Sequence, residues 1–349
     1  MRKSRWRILG IAIVASLSIA TAWHFDLIRY GFQQLNGQMA LINGAVPIAE
    51  LLESDDLDST TRSKLIFIQE VRRFAIDSLG FKDTENYTSY FDQKGKPLLW
   101  VVTGSLHFEL KEKTWWFPVI NTVSYKGFFE ESLAEQEAKS IEADGYESDI
   151  YNPGGWSTLG FFNDPVLSNM TKRGPGKLAE LIIHEMAHST CFVEGDVDLN
   201  ENLATLAGEI GANRFLIHKY GDGSKEALAY QHRLADDETY YSHMLNGHRR
   251  LDSLYKSFNE KIDLKTRAEK KFGLIADILL EINFLELKNK AHYRFDFSKD
   301  KLPGNPEFIS YSRYRKNLVE LKSLLQDKFK GDIGNMLFTI EKEGASVLR

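Results

Sequence analysis

His184 and His188 stand four residues apart in the run His184-Glu185-Met186-Ala187-His188. On a helix that spacing puts both imidazoles on one face, about one turn apart. Their ring nitrogens could then reach one cation at about 2.0–2.1 Å each. Glu185 projects about 100° round the helix from His184, so it sits beside such a cation and not on it. That is the position of a general base for an attacking water. Twelve residues separate His188 from Glu201, which lies in Asn200-Glu201-Asn202-Leu203-Ala204. Glu201 is the candidate third donor, and would leave the fourth corner of a tetrahedron for water or substrate.

A surface helix with two unrelated histidines and an ion-paired glutamate is the competing reading. The neighbouring residues oppose it. Leu181-Ile182-Ile183 are apolar and Ala187 is small, so the helix reads as buried, and buried polar groups need partners. Glu194-Gly195-Asp196 reads as a turn that returns the chain toward the first segment. Asn200 reads as a helix N-cap. Small residues at Ala204, Ala207, Gly208 and Gly211 would let two helices approach closely, so that Glu201 reaches the histidines. Glu209, about two turns beyond Glu201, could hydrogen-bond a ligand histidine or serve as a plain surface residue.

His-Glu-x-x-His followed by Asn-Glu-x-x-Ala resembles the gluzincin branch of zinc peptidases. More closely, the chain resembles a family of bacterial predicted aminopeptidases, from about Gly37 onward. The resemblance is carried by Gly37-Gln38, Pro47, Arg73-Phe74-Ala75 and Thr114-Trp115-Trp116-Phe117-Pro118-Val119. Further on it is carried by Tyr125-Lys126-Gly127-Phe128-Phe129, Trp156-Ser157-Thr158-Leu159-Gly160-Phe161-Phe162 and Asp164-Pro165-Val166-Leu167. It implies that His184, His188 and Glu201 are zinc ligands, that Glu185 is the catalytic base, and that the substrate is a peptide. Gluzincins also use a Tyr or His as electrophile. Tyr311 and Tyr314 are the candidates here, with His218 and Tyr151 behind them. The family tends to carry Asn-Asn-Ala near its C-terminal end, where this chain has Gly304-Asn305-Pro306-Glu307. The Gly-x-Met-Glu-Asn element of one large aminopeptidase group is absent, so exopeptidase rather than endopeptidase action is implied by the resemblance alone.

The elements that must position these residues read as α+β: a zincin-like core, mostly helical, with a small β-sheet and an N-terminal membrane helix. Residues 27–95 read as helical. Leu65, Ile68, Val71, Phe74 and Ala75 recur at helical spacing, and Gly80 ends that helix. Residues 96–165 read as the sheet region, interrupted by a helix over Glu131–Asp144. Gly154 to Leu159 is a candidate strand for binding substrate backbone. Residues 176–220 hold the two metal-site helices, with the second starting at Leu199. Residues 224–290 read as a helical hairpin, with a solvated arm as the default role. Ala291–Pro306 reads as loop, and 307–349 as one or two closing helices.

Composition is ordinary for a globular chain of 349 residues, 43% hydrophobic and 27% charged. A net charge of −5 gives no ground for nucleic-acid binding, which calls for a basic patch. Cys191 is the only cysteine, so no intramolecular disulfide can form, and Cys-rich zinc modules are excluded. Arg2, Lys3, Arg5 and Arg7 precede an apolar run from Ile8 to Trp23. Residues 1–26 therefore read as a signal-anchor or signal peptide. Ala20-Thr21-Ala22 resembles a cleavage site. The run merges into Trp23-His24-Phe25 without a polar region, which favours an uncleaved single-pass anchor over a protein secreted to the periplasm. The basic end stays cytoplasmic, and the catalytic body lies outside.

Two functions compete. One is a membrane-anchored zinc peptidase, an aminopeptidase by resemblance. The other is a non-catalytic envelope protein with structural zinc and a helical arm for a protein partner. Glu185 separates them, because a structural site has no use for an acid between its two ligand histidines.

Overall fold

The structure is a computed structural model describing residues 25–118, 121–154, 163–298 and 301–348. Its elements run α1 (Phe25–Gly44), β1 (Val46–Pro47), α2 (Ile48–Glu53), α3 (Ser59–Asp77), β2 (Ser89–Phe91), β3 (Trp100–Leu106) and β4 (Trp115–Phe117). Next come β5 (Asn121–Val123), β6 (Tyr125–Phe128), α4 (Glu131–Ala143), β7 (Tyr146–Tyr151) and β8 (Val166–Leu167). The second half is helical: α5 (Pro175–Thr190), α6 (Val197–Tyr220), α7 (Lys225–Lys256), α8 (Leu264–Glu281), α9 (Lys290–Tyr293), α10 (Asn305–Arg315), α11 (Leu318–Asp327) and α12 (Ile333–Glu343).

The fold is α+β and mostly helical. Among the described residues the strands form three small sheets rather than one: β1-β2-β8, β6-β3-β7 and the β4-β5 pair. Only the β2–β8 pairing is parallel among the described residues, with Tyr90 opposite Val166. In the second sheet β3 pairs antiparallel on both sides, Thr103 facing Tyr125 of β6 and Asp149 of β7. Among the described residues no helix is long and apolar enough to cross a membrane. The run Ile8–Trp23 lies outside the described residues.

Local chemistry sets the helix boundaries. Asp58, Asp196, Ser224, Asp263 and Asp332 each accept a backbone N–H in the first turn that follows. α5 starts at Pro175, whose missing N–H costs nothing at a helix start. The cap of α6 is Asp196, three residues before the expected start. Asn200 is therefore inside the helix, not at its cap.

The main core is built round α5 and α6, which pack against each other and are flanked by α3, α11 and α12. Leu178, Ile182, Ile183, Leu206 and Ala207 are fully buried there. A second core joins α7, α8 and α10 through Met244, Leu251, Ile278 and Phe308. The helical hairpin is thus packed into the body and is not a solvated arm. Lys271 of α8 is 2% exposed and paired with Glu147 of β7. Within the stretch expected to be loop, α9 forms because both Asp236 carboxylate oxygens accept backbone N–H groups, from Lys288 and Asn289. The C-terminal region holds three α-helices, not one or two. Gly331, with φ +84°, makes the break between the last two.

Candidate metal centre and cleft

α5 turns one stripe of side chains, Lys177, Glu180, Leu181, His184, Glu185 and His188, into a cleft of about 620 Å3. Glu201, near the start of α6, joins the same lining. The two imidazole Nε2 atoms lie 3.2 Å apart. Glu201 Oε2 lies 3.5 Å from His184 Nε2 and 3.7 Å from His188 Nε2. Donors on a tetrahedron of radius about 2.0–2.1 Å are about 3.3–3.4 Å apart. The three side chains therefore have the spacing needed to hold one metal ion, and together they form a possible metal-binding triad. His188 Nδ1 is buried with no hydrogen-bond partner among the described residues.

The flanking residues fix Glu201 in place. Asn200 accepts from Val193 N and donates to Val193 O, both at 2.8 Å, which ties the loop after α5 to the start of α6. Asn202 Oδ1 accepts from Asn317 N at 3.1 Å, and its amide donates to the carbonyls of Asp198 and Arg313. A Cβ on Gly208 would lie 2.9 Å from Glu180 O and 3.2 Å from His184 Cβ. The close helix approach anticipated from the small residues is real at this position. Gly208→Val is expected to force α5 and α6 apart at a cost of about 1–3 kcal/mol. Thermal melts with and without zinc should show a lower melting temperature and a smaller zinc-induced gain. An unchanged gain would mean the contact does not position the triad.

The titratable groups of the site act on one another. Burial pushes the Glu185 carboxyl up to about 7, with the Glu201 and Asp164 charges adding and His184 and Arg173 opposing. Burial and the neighbouring His184 charge bring His188 down to about 4. Burial also works to lower His184, but its bond to Glu201 and the charges of Glu185, Glu201 and Glu180 outweigh it, and the ring is raised. Glu201 is held below its ordinary value: burial acts upward, and the two imidazoles and Arg313 overcome it.

Of the sequence-derived electrophile candidates, Tyr314 lines the cleft and Tyr311 does not. Tyr311 turns to the second core, where its hydroxyl donates to Glu307 at 2.9 Å and meets Tyr240 Oη at 3.3 Å. His218 packs on Phe74, ring centroids 5.3 Å apart, outside the cleft. Tyr151 is in the lining. Glu209 does not reach a histidine; it pairs with Arg315 at 2.6 Å and Lys322 at 3.6 Å. Asn305, in the stretch that departs from the resembling family, is fully buried. It accepts from Tyr255 Oη at 2.7 Å and donates to Leu106 O at 2.8 Å, a structural role. Gly154 borders the cleft, while the rest of the candidate substrate strand, 155–159, lies outside the described residues.

Sequence reasoning missed Tyr125, Arg313 and Arg173 in the lining. The segment beginning at Tyr125 carried part of the resemblance, but no spacing rule marked it as part of the site. Burial and the Glu201 charge raise the phenols of Tyr125 and Tyr314. Burial brings Tyr151 to about 12. All three therefore stay protonated at neutral pH and can donate.

A buried acid beside a possible metal triad, in a cleft walled by neutral phenols, is an arrangement suited to hydrolysis. Residues 29–340 match the family described as Putative aminopeptidase, and the chain belongs to that family. No curated protein and no solved structure matches the chain.

Proposed function

We propose that the protein is a zinc-dependent peptidase of the gluzincin type, acting as an aminopeptidase and held at the membrane by its N-terminal segment. The observation that carries this reading is the near-tetrahedral spacing of His184 Nε2, His188 Nε2 and Glu201 Oε2 beside the buried Glu185. Two imidazoles and one carboxylate with an open fourth position suit catalytic zinc, and the family assignment supports a peptide substrate. Zinc held by these three residues supplies Lewis acidity toward a carbonyl and toward water. Glu185, when ionised, takes a proton from the attacking water on a carboxylate oxygen and later returns it to the departing amine. Charge developing on the carbonyl oxygen calls for fixed donors, and the Tyr314 hydroxyl is our first choice, with Tyr125 and Tyr151 as neighbours. Arg313 adds positive charge near Glu201.

The test is a panel of free and N-acetylated peptides incubated with zinc-loaded enzyme, then with a chelator, then with zinc restored. Free peptides should lose one residue at a time from the N-terminus, stop with chelator, and resume with zinc. Cleavage that ignores the chelator would reject metal dependence. Equal cleavage of acetylated peptides would reject the aminopeptidase assignment.

A further inference from the structure

Three cationic side chains border the cleft: Arg173, Lys177 and Arg313. Two are paired with carboxylates. Lys177 Nζ lies 2.6 Å from Glu180 and 3.7 Å from Asp237. Arg313 pairs with Glu112, donates to Ser124 Oγ at 2.7 Å, and lies 3.8 Å from Asp198. Arg173 differs. Its guanidinium donates to two backbone carbonyls, Gly154 O at 2.9 Å and Asn169 O at 3.4 Å. These bonds orient the group without neutralising it, and use two of its five N–H donors. Glu180 and Glu185 act on it only at longer range, and Glu180 is already paired. No carboxylate among the described residues forms an ion pair with it.

The surroundings hold this guanidinium in place. Lys64 Nζ donates to the Arg173 carbonyl at 2.5 Å and fixes the backbone. A Cβ on Gly154 would fall 2.4 Å from Arg173 Nη2, so the guanidinium lies close against the chain at Gly154. A half-buried charge without a counter-ion is unfavourable. A planar fork with free donors is matched to a carboxylate.

The position says which carboxylate. Arg173 stands just before α5, and His184 is nine residues past Pro175. At about 1.5 Å per residue that is roughly 14 Å along the helix backbone. The Arg173 side chain reaches back into the cleft, where its charge acts on Glu185, so about two or three extended residues fit between triad and guanidinium. A cleft of about 620 Å3 is in the range that encloses a small ligand. A peptide with its scissile bond at the triad would therefore end at Arg173. Resting on the peptidase reading above, we propose that Arg173 binds the C-terminal carboxylate of short peptides, making this an enzyme for substrates of a few residues.

The experiment compares a tripeptide and a tetrapeptide as free acids with the same peptides as C-terminal amides, using zinc-loaded full-length protein. The free acid should be favoured at least tenfold in kcat/KM, chiefly through KM, and the preference should fade as peptides lengthen. In Arg173→Met the ratio of acid to amide should fall toward one, with Arg173→Lys intermediate. Equal wild-type rates on acid and amide overturn the assignment without needing any variant. An unchanged ratio with uniformly lower kcat in Arg173→Met also overturns it, and points instead to oxyanion stabilisation or folding. Cleavage of none of the peptides removes the peptidase reading and this subsite together, an outcome distinct from the other two.

Discussion

Glu185→Gln is expected to lower kcat by about 10²–10⁴, the usual contribution of a positioned acid–base group, while making the zinc-free protein more stable at neutral pH. Glu185 is 9% exposed, and burial raises its carboxyl from 4.5 to about 7. Below 4.5 both folded and unfolded chains hold the proton, and the substitution changes little. Between about 4.5 and about 7 the unfolded chain releases its proton first, so wild-type stability falls with rising pH. Above about 7 the full penalty applies, up to about 3 kcal/mol at about 1.4 kcal/mol per unit. Glutamine cannot ionise and escapes it. Melting curves of zinc-free wild type and variant should separate at pH 8 and converge near pH 4.5. With zinc bound the neighbouring cation favours the carboxylate, and the gap should narrow. Peptide cleavage at the wild-type rate by a zinc-loaded variant would remove Glu185 from the base role. Parallel melting curves at all pH values would remove the burial argument.

The pairing of local and distant signals explains what could be read beforehand. α4 was legible almost to the residue, since Ala134, Ala138 and Ile141 recur on one face and that face is what packs. The histidine pair was legible because a four-residue spacing is a helix property. Glu201 was legible because a short turn at Gly195, with φ +79°, must bring α6 back along α5. Asn200 was misjudged because its side chain bonds backward to Val193, not forward into its own helix, and helix propensity does not encode that. Tyr311 and Tyr314 lie three residues apart, neighbouring positions on one helix surface. Only the packing of Tyr240 against Tyr311 shows which one is turned away. Arg313 meets Glu112 across 201 positions, and Arg173 is defined by carboxylates it does not pair with. Neither fact leaves a periodic trace. The three-way division of the sheet has the same origin: strands of two to seven residues carry too few alternations to reveal their partners.

Glu201→Gln should act on the same site with the opposite sign. The substitution keeps the shape and leaves the Asn200 and Asn202 clamps intact, so α6 should fold as before. It removes the one anionic donor from a set otherwise made of neutral rings. Structural zinc sites bind with about 10–16 kcal/mol in all; a quarter of that is about 2.5–4 kcal/mol, or about seventyfold to a thousandfold in zinc affinity. Competition with a chromophoric chelator measures it directly, and retention within tenfold of wild type would exclude Glu201 as a ligand. The zinc-free protein gives a second, independent readout. Glu201 lies below its ordinary value and His184 above its own because each stabilises the other's charged form. That pair contributes only where both are ionised. Its contribution fades in acid as Glu201 takes up a proton, and fades again as pH rises through the raised His184 value. Glu201→Gln should therefore destabilise the zinc-free protein most between the lowered Glu201 value and the raised His184 value, and progressively less above the latter, whereas Glu185→Gln stabilises it most above about 7. Two neighbouring carboxylates would thus be separated by the sign of their effect on melting, since one sits at the ion-paired end of the site and the other in its desolvated wall.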